Sequence, residues 1–234
     1  VSAKPPGMPV SVTHVAEGAV NMRDTGPELI EGPSQPASFW EFLEGWGGQW
    51  MWENIDQEQD LTWIVEGMQQ NTLVWVTDGS YDRRRAPTVS GAGWVIYCKG
   101  SGRMFKTYFH EVSKAASSYR AEQLGLCAIH LFLTVLEEFY ELPEWHGKIC
   151  CDNLKALESA KFKRRRIRPS ASCADILRST RASQNRMLAK IVYDHVKGHM
   201  DRYLLWHQLS LKQQLNCVCD GLAKTAVARC IRRG

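Results

Sequence analysis

Long apolar runs are missing from this chain of 234 residues. The longest, Ile129 to Leu136, is interrupted by His130 and Thr134 and is too short to cross a bilayer, so no membrane partner is expected. No basic-then-apolar leader opens the sequence, and nothing marks it for secretion. The first residue is Val1 and not a methionine, so a fragment or a processed piece of something longer is expected. Internal repeats are absent. So are paired C-x-x-C units: among eight cysteines, Cys150 and Cys151 are adjacent and Cys217 and Cys219 lie two apart, which matches no zinc pattern. In a long chain without a leader they do not make a disulfide framework either. Reduced, mostly buried thiols are the expectation, and with them an intracellular location in cytoplasm or nucleus. A hydrophobic content of 44% and a charged content of 23% are ordinary for a globular protein and exclude wholesale disorder, collagen and coiled coil.

The charge is divided along the chain. Residues 1–71 hold eleven acidic and two basic residues, whereas residues 72–234 hold fourteen acidic and twenty-seven basic, a net +13. Such a surplus points to a polyanionic partner, nucleic acid first. Residues 1–38 are rich in proline and glycine with little periodicity and read as a linker or disordered arm. Residues 39–71 carry five tryptophans, and Phe39, Trp40, Phe42 and Leu43 cluster at helical spacing. This segment reads as a Trp-rich helical extension broken at Gly47-Gly48, packing on the next domain or on a neighbouring region of a longer polypeptide.

From Leu73 a regular order begins. Leu73 to Thr77 is a buried strand ended by Asp78-Gly79-Ser80, and Gly91 to Tyr97 and Arg103 to Val112 are two more strands around the turn Lys99 to Gly102. Ser117-Ser118 caps a long helix, Tyr119 to Tyr140, which Pro143 stops. Lys148 to Cys151 is a fourth strand and Ile191 to Val196 a fifth. Between them lie helical segments around Leu154–Phe162 and Cys173–Lys190, and a last helix covers about Leu211 to Arg232. The order β-β-β-α-β-α-α-β-α predicts an α/β domain over 72–232, a mixed five-stranded sheet flanked by helices, preceded by an acidic N-terminal extension.

Four carboxylates sit at chemically special places. Asp78 and Asp152 end the first and fourth strands, where open α/β sheets place ligands, and adjacent strands would bring them together. Glu122 lies in the first turns of the long helix, and Asp220 in the last helix before an apolar stripe. Each alone is ordinary: a strand-end Asp is more often a turn or cap residue, and a helical acid is usually solvated. Together they cannot all stay ionised without a compensating cation. Hard oxygen donors and high negative charge select Mg²⁺, with Mn²⁺ as substitute, and two such ions ~4 Å apart are a common device for phosphodiester cleavage.

The blocks Thr77-Asp78-Gly79-Ser80, Gly91-Ala92-Gly93-Trp94, Tyr119-Arg120-Ala121-Glu122, Cys151-Asp152-Asn153, Val196-Lys197-Gly198-His199 and Asn216-x-x-x-Asp220-x-Leu-Ala together resemble the type 1 ribonuclease H domain over about residues 72–232. The stretch Leu209 to Asn216 is similar to such domains in retroelement reverse transcriptase polyproteins. The resemblance implies a ribonuclease H-like fold and a hydrolase, an endoribonuclease that cuts the RNA strand of an RNA–DNA hybrid to leave 5′-phosphate and 3′-hydroxyl ends. It implies Asp78, Glu122, Asp152 and Asp220 as catalytic ligands of two Mg²⁺ ions, and His199 as a mobile histidine for proton transfer or product release. No obligate small-molecule cofactor is implied. Other domains of a polyprotein are the expected partners besides the hybrid.

Ser117 and Ser118 fall where the family often contacts DNA phosphate and bases, although both also suit a helix cap. His195 and His199 have the spacing of a helical zinc pair, but a strand and Gly198 deny that geometry. Lys161, Lys163, Arg164, Arg165, Arg166 and Arg168 put six cations in eight residues where the family often grips the hybrid. A solvated face or a nuclear-import signal are other readings of such a run. The connection Met200 to Leu215 is longer than the family pattern, with Tyr203, Leu204, Leu205 and Trp206 as an extra turn or a partner surface. Three alternatives stand beside the nuclease: an integrase-like nuclease of the same fold, a catalytically silent nucleic-acid-binding domain, and a structural polyprotein domain.

Overall fold

The structure, a computed structural model, describes residues 38–55, 60–161 and 166–232 in full, and residues 11–14, 20–23 and 233 by backbone alone. It divides into two units, Val1–Ala37 and Ser38–Gly234. In the first, strands β1 (Ser11–His14) and β2 (Val20–Arg23) pair antiparallel as a short ribbon. The rest of the expected arm up to residue 37 lies outside the described residues.

The second unit holds α1 (Phe39–Gly45), a 3-10 turn (Gln49–Met51), α2 (Thr62–Gln69), β3 (Leu73–Tyr81), β4 (Val89–Cys98), β5 (Met104–Val112), α3 (Ser118–Phe139), β6 (His146–Cys151), α4 (Leu154–Lys161), α5 (Ala174–Arg186), β7 (Lys190–His195) and α6 (Leu211–Arg233). The five strands form one mixed sheet in the order β5-β4-β3-β6-β7, antiparallel in the hairpins and parallel from β3 to β6 to β7. This is the mixed five-stranded sheet flanked by helices expected from the sequence. Among the described residues no helix is long and apolar enough to cross a membrane.

The sheet is covered on both faces, which explains why Leu73 to Val76 reads as unbroken apolar sequence. Successive side chains alternate: Trp75 packs with α3, whereas Val74 and Val76 join Leu215 and Cys219 of α6 on the other face. Helix α3 is apolar around most of its girth because it lies between the sheet and α1, α4 and α5. Its centre is Phe132, whose ring meets Phe39, Trp52, Trp94 and Phe105 at centroid distances of 5.2–5.9 Å. The tryptophan-rich segment therefore shares the sheet's own core: Phe39, Leu43, Trp52, Trp63 and Ile64 are all buried in it. All eight cysteines are free, six of them buried.

Two boundaries differ most from the sequence reading, by four residues each. The first sheet strand does not end at Asp78 but runs to Tyr81, because β4 continues to pair with it through Asp78↔Gly93 and Tyr81↔Ser90. Helix α5 stops at Arg186, four residues before the expected end. The Glu137 carboxylate accepts the backbone N–H groups of Leu188 (2.8 Å) and Ala189 (3.1 Å) and holds that stretch extended.

Phe39→Ala tests whether the tryptophan-rich segment belongs to this core. Emptying a buried aromatic site is expected to cost about 3–5 kcal/mol. Urea denaturation should show this as a lower midpoint of one transition covering the whole unit. A separate early transition, or an unmoved midpoint, would contradict the shared core.

Candidate metal centre and active site

Strands β3 and β6 pair in parallel as far as Thr77↔Cys151. Asp78 and Asp152 each stand one residue beyond that last pair, so the point where β6 leaves the sheet sets their carboxylates side by side. Helix α3 brings Glu122 from above. Its approach depends on Gly79: a Cβ there would lie 2.6 Å from the Glu122 nitrogen and 2.8 Å from the Ala121 carbonyl carbon. Helix α6 brings Asp220 from the other face, one turn after Asn216.

The contacts among these groups are close. Asp78 Oδ1 accepts the Gly79 N–H (2.7 Å) and Oδ2 accepts the Asn216 amide (3.2 Å). The negative charge of Glu122 bears on Asp78. The Cys151 thiol donates to Glu122 Oε2 (3.4 Å). Ligand atoms of Glu122, Cys151 and Asp152 all lie within 4.8 Å of one another. Asp220 Oδ2 accepts from Lys224 (2.6 Å).

Crowding of like charge shapes the electrostatics. Burial, then the negative charges of Glu122, Asp152 and Asp220, hold the Asp78 carboxyl far above the usual carboxylate range. Glu122 is raised by burial and by Asp152, against the opposing hydrogen bonds from Cys151, Asp78 and Gly79. Asp152 is raised by burial; the nearby His199 and His195 oppose this, and Asp220 adds to it. Burial and the Glu122 charge keep the Cys151 thiol protonated, consistent with its role as donor.

Two observations fit a divalent cation here. Among the described residues no lysine or arginine forms an ion pair with Asp78, Glu122 or Asp152. Beside Asp78, the buried Asn216 Oδ1 has no hydrogen-bond partner. Carboxylate oxygens left uncompensated in a buried cluster suit hard cations such as Mg²⁺ or Mn²⁺.

The remaining candidates are dispersed around the cluster. His199 is exposed, with left-handed backbone (φ +54°), and its charge bears on Asp152. Gly198 before it lies so close that a Cβ would collide with the Asp152 carboxylate. A His195 ring nitrogen is 2.9 Å from the Asp152 carbonyl oxygen, so this residue touches the backbone of the site. The Ser117 hydroxyl caps α3 by accepting the Arg120 N–H (3.1 Å), and Ser118 is an exposed residue of the first turn. Lys161, Arg166 and Arg168 are exposed, whereas Lys163, Arg164 and Arg165 lie outside the described residues.

Sequence reasoning gave no role to three further residues. Asn216 holds Asp78, and its position four residues before Asp220 on one helix face was the available signal. Cys151 holds Glu122; period-2 alternation would not have shown it. Arg120 is gripped by Glu111 (2.5 and 2.6 Å) and Asp175 (2.7 and 3.0 Å), which ties the first turn of α3, two residues from Glu122, to β5 and α5.

No protein-family model matches the chain, and no curated protein matches it. Solved structures similar to it include the N-terminal RNase H domain of a Mycobacterium tuberculosis protein (16% identity over 69% of this chain and 96% of that one, TM-score 0.42). RNase H1 of Halobacterium salinarum is similar at 15% identity, over 67% of this chain and 98% of that one, with TM-score 0.42. A foamy viral protease–reverse transcriptase in complex with RNA/DNA hybrid is similar at 14% identity, over 66% of this chain and 20% of that one, with TM-score 0.46.

Raised carboxyl pKa values make a stability prediction with a definite sign. A group that binds its proton more tightly when folded stabilises the fold fully at low pH and loses that contribution as pH rises through the raised value. Removing the charge with Asp78→Asn should therefore help increasingly as pH rises from about 5 to 8 in chelator. Added Mg²⁺ should raise the wild-type melting temperature at pH 8 but not that of the variant. Thermal melts that differ by a constant amount at all pH values would contradict the buried cluster.

Proposed function

We propose that this chain is an endoribonuclease that hydrolyses the RNA strand of RNA–DNA hybrids. The reading is supported by ligand atoms of Glu122, Cys151 and Asp152 within 4.8 Å of one another, by the charges of Glu122, Asp152 and Asp220 that bear on Asp78, and by a +13 surplus in this region of the sequence. Oxygen donors gathered in this way have their use with divalent cations and a phosphate substrate. The resemblance of six sequence blocks to type 1 ribonuclease H narrows the substrate to the hybrid.

In this reading the four carboxylates are the ligands of two metal ions. Mg²⁺, or Mn²⁺ in its place, when bound supplies charge neutralisation at the scissile phosphate and a lowered pKa for water. Asn216 and Gly79 orient Asp78, and Cys151 orients Glu122, so that their oxygens face the shared space. His199, exposed on its turn beside Asp152, moves a proton or assists product release. Ser117 and Ser118 contact the DNA strand, and the run Lys161, Lys163, Arg164, Arg165, Arg166 and Arg168 grips phosphates. The RNA strand is distinguished by its 2′-hydroxyls. The catalytic domain spans about 72–232, behind an arm (1–38) and the Trp-rich extension (39–71), within a retroelement polyprotein.

A labelled hybrid with Mg²⁺ tests the reading. Wild-type chain should cut the RNA strand, and Asp78→Asn and Asp152→Asn should each lower the rate by about a hundredfold or more. Cleavage of duplex DNA in place of the hybrid would assign the chain to an integrase-like nuclease, and tight binding without cleavage to a silent binding domain. Neutralising Arg164, Arg165 and Arg166 together should weaken hybrid binding and flatten its logarithmic salt dependence by about one unit per lost phosphate contact. An unchanged slope would remove this run from the substrate interface.

A further inference from the structure

Between His199 and α6 the chain makes two short 3-10 turns, Met200–Arg202 and Trp206–Gln208, and every residue from Asp201 to Gln208 is exposed. Four of the exposed side chains are large and apolar or aromatic: Tyr203 (77% exposed), Leu204 (37%), Leu205 (64%) and Trp206 (55%). The backbone beneath them is firmly held. Tyr203 and Leu204 N–H groups bond the Met200 carbonyl (3.0 and 2.9 Å), and the Leu205 N–H bonds Gln208 Oε1 (2.9 Å). The Gln214 amide of α6 donates to the carbonyls of Trp206 (3.0 Å) and Leu209 (3.2 Å). A loop fixed by polar contacts while its rings point into water presents those rings and does not bury them.

Its position says to what. The loop follows Gly198, which lies so close to Asp152 that a Cβ would collide with its carboxylate, and Gln214, which holds the loop, lies on α6 six residues before Asp220. It therefore borders the carboxylate cluster on two sides. Arg202 and His207 stand among the rings, and Lys197 precedes them. Ring faces with a neighbouring guanidinium are the chemistry of single-stranded nucleic acid, since aromatic side chains stack on bases only where the bases are not stacked in a duplex.

We propose that residues 201–208 form a stacking platform for the unpaired bases of a strand that runs on from the carboxylate cluster, with Tyr203 and Trp206 supplying ring faces and Arg202 a phosphate contact. The proposal rests on the hybrid-nuclease reading, and it gives that site a preference: hybrids with a single-stranded extension bind better than blunt ones. The stacking is tolerant of sequence because every base has a ring face.

Fluorescence anisotropy in chelator, which prevents cleavage, compares a blunt labelled hybrid with hybrids carrying a short overhang on either strand and at either end. The full-length chain should bind at least one overhang form about tenfold more tightly than the blunt form. The double variant Tyr203→Ala and Trp206→Ala should bind both forms alike, with blunt-hybrid affinity and melting temperature unchanged because both side chains are exposed. Trp206→Phe should keep most of the preference. A double variant that retains the preference overturns the platform and leaves the patch to a protein partner. Cleavage of the blunt hybrid with Mg²⁺ is read in parallel. Equal affinities in a chain that cleaves overturn the platform alone, whereas no cleavage by the wild type overturns the nuclease reading beneath it.

Discussion

Repulsion among buried carboxylates is the constraint around which this molecule is arranged. Asp78 and Glu122 are nearly sealed from solvent, and Asp152 and Asp220 add their charge. Left to themselves these groups would separate or protonate. The fold denies them separation by fixing each on a different rigid element. Parallel pairing of β3 with β6 aligns the two aspartates, Gly79 admits the backbone of α3, and α6 seats Asn216 against Asp78. A divalent cation held there, as the proposed function requires, would relieve that repulsion.

The supports of the site reach well beyond it. Arg120 clamps the start of α3 to β5 and α5 through two carboxylates, and Phe132 anchors the helix's middle among rings from α1, β4 and β5. The tryptophan-rich segment completes that aromatic packing, so an acidic stretch whose composition contrasts with the basic remainder is nonetheless part of the same packed core. Charge and packing divide the chain at different places, and packing decides where the folded unit begins.

The sheet and its helices were legible in the sequence because their signals are local and regular. β-Branched runs and a serine cap before a long apolar helix each follow from periodicity or turn chemistry. What escaped was set by partners distant in the chain. Asp78 looked like a strand terminator because Asp-Gly-Ser is turn chemistry, yet β4 keeps the strand paired to Tyr81. Helix α5 ends early because Glu137, fifty-one residues before Leu188, takes its N–H. Cys151 read as one more buried thiol, and its bond to Glu122 exists only once β6 and α3 are in place. The ring-bearing loop after His199 was visible as an insertion, but its exposure could be known only from the structure.

Anomalous X-ray scattering from crystals of the protein soaked in Mn²⁺ addresses the cation claim at atomic level. Two manganese peaks bridged by the oxygens of Asp78, Glu122, Asp152 and Asp220 are the expected result. Peaks elsewhere on the molecule, with the four side chains left unliganded, would contradict it.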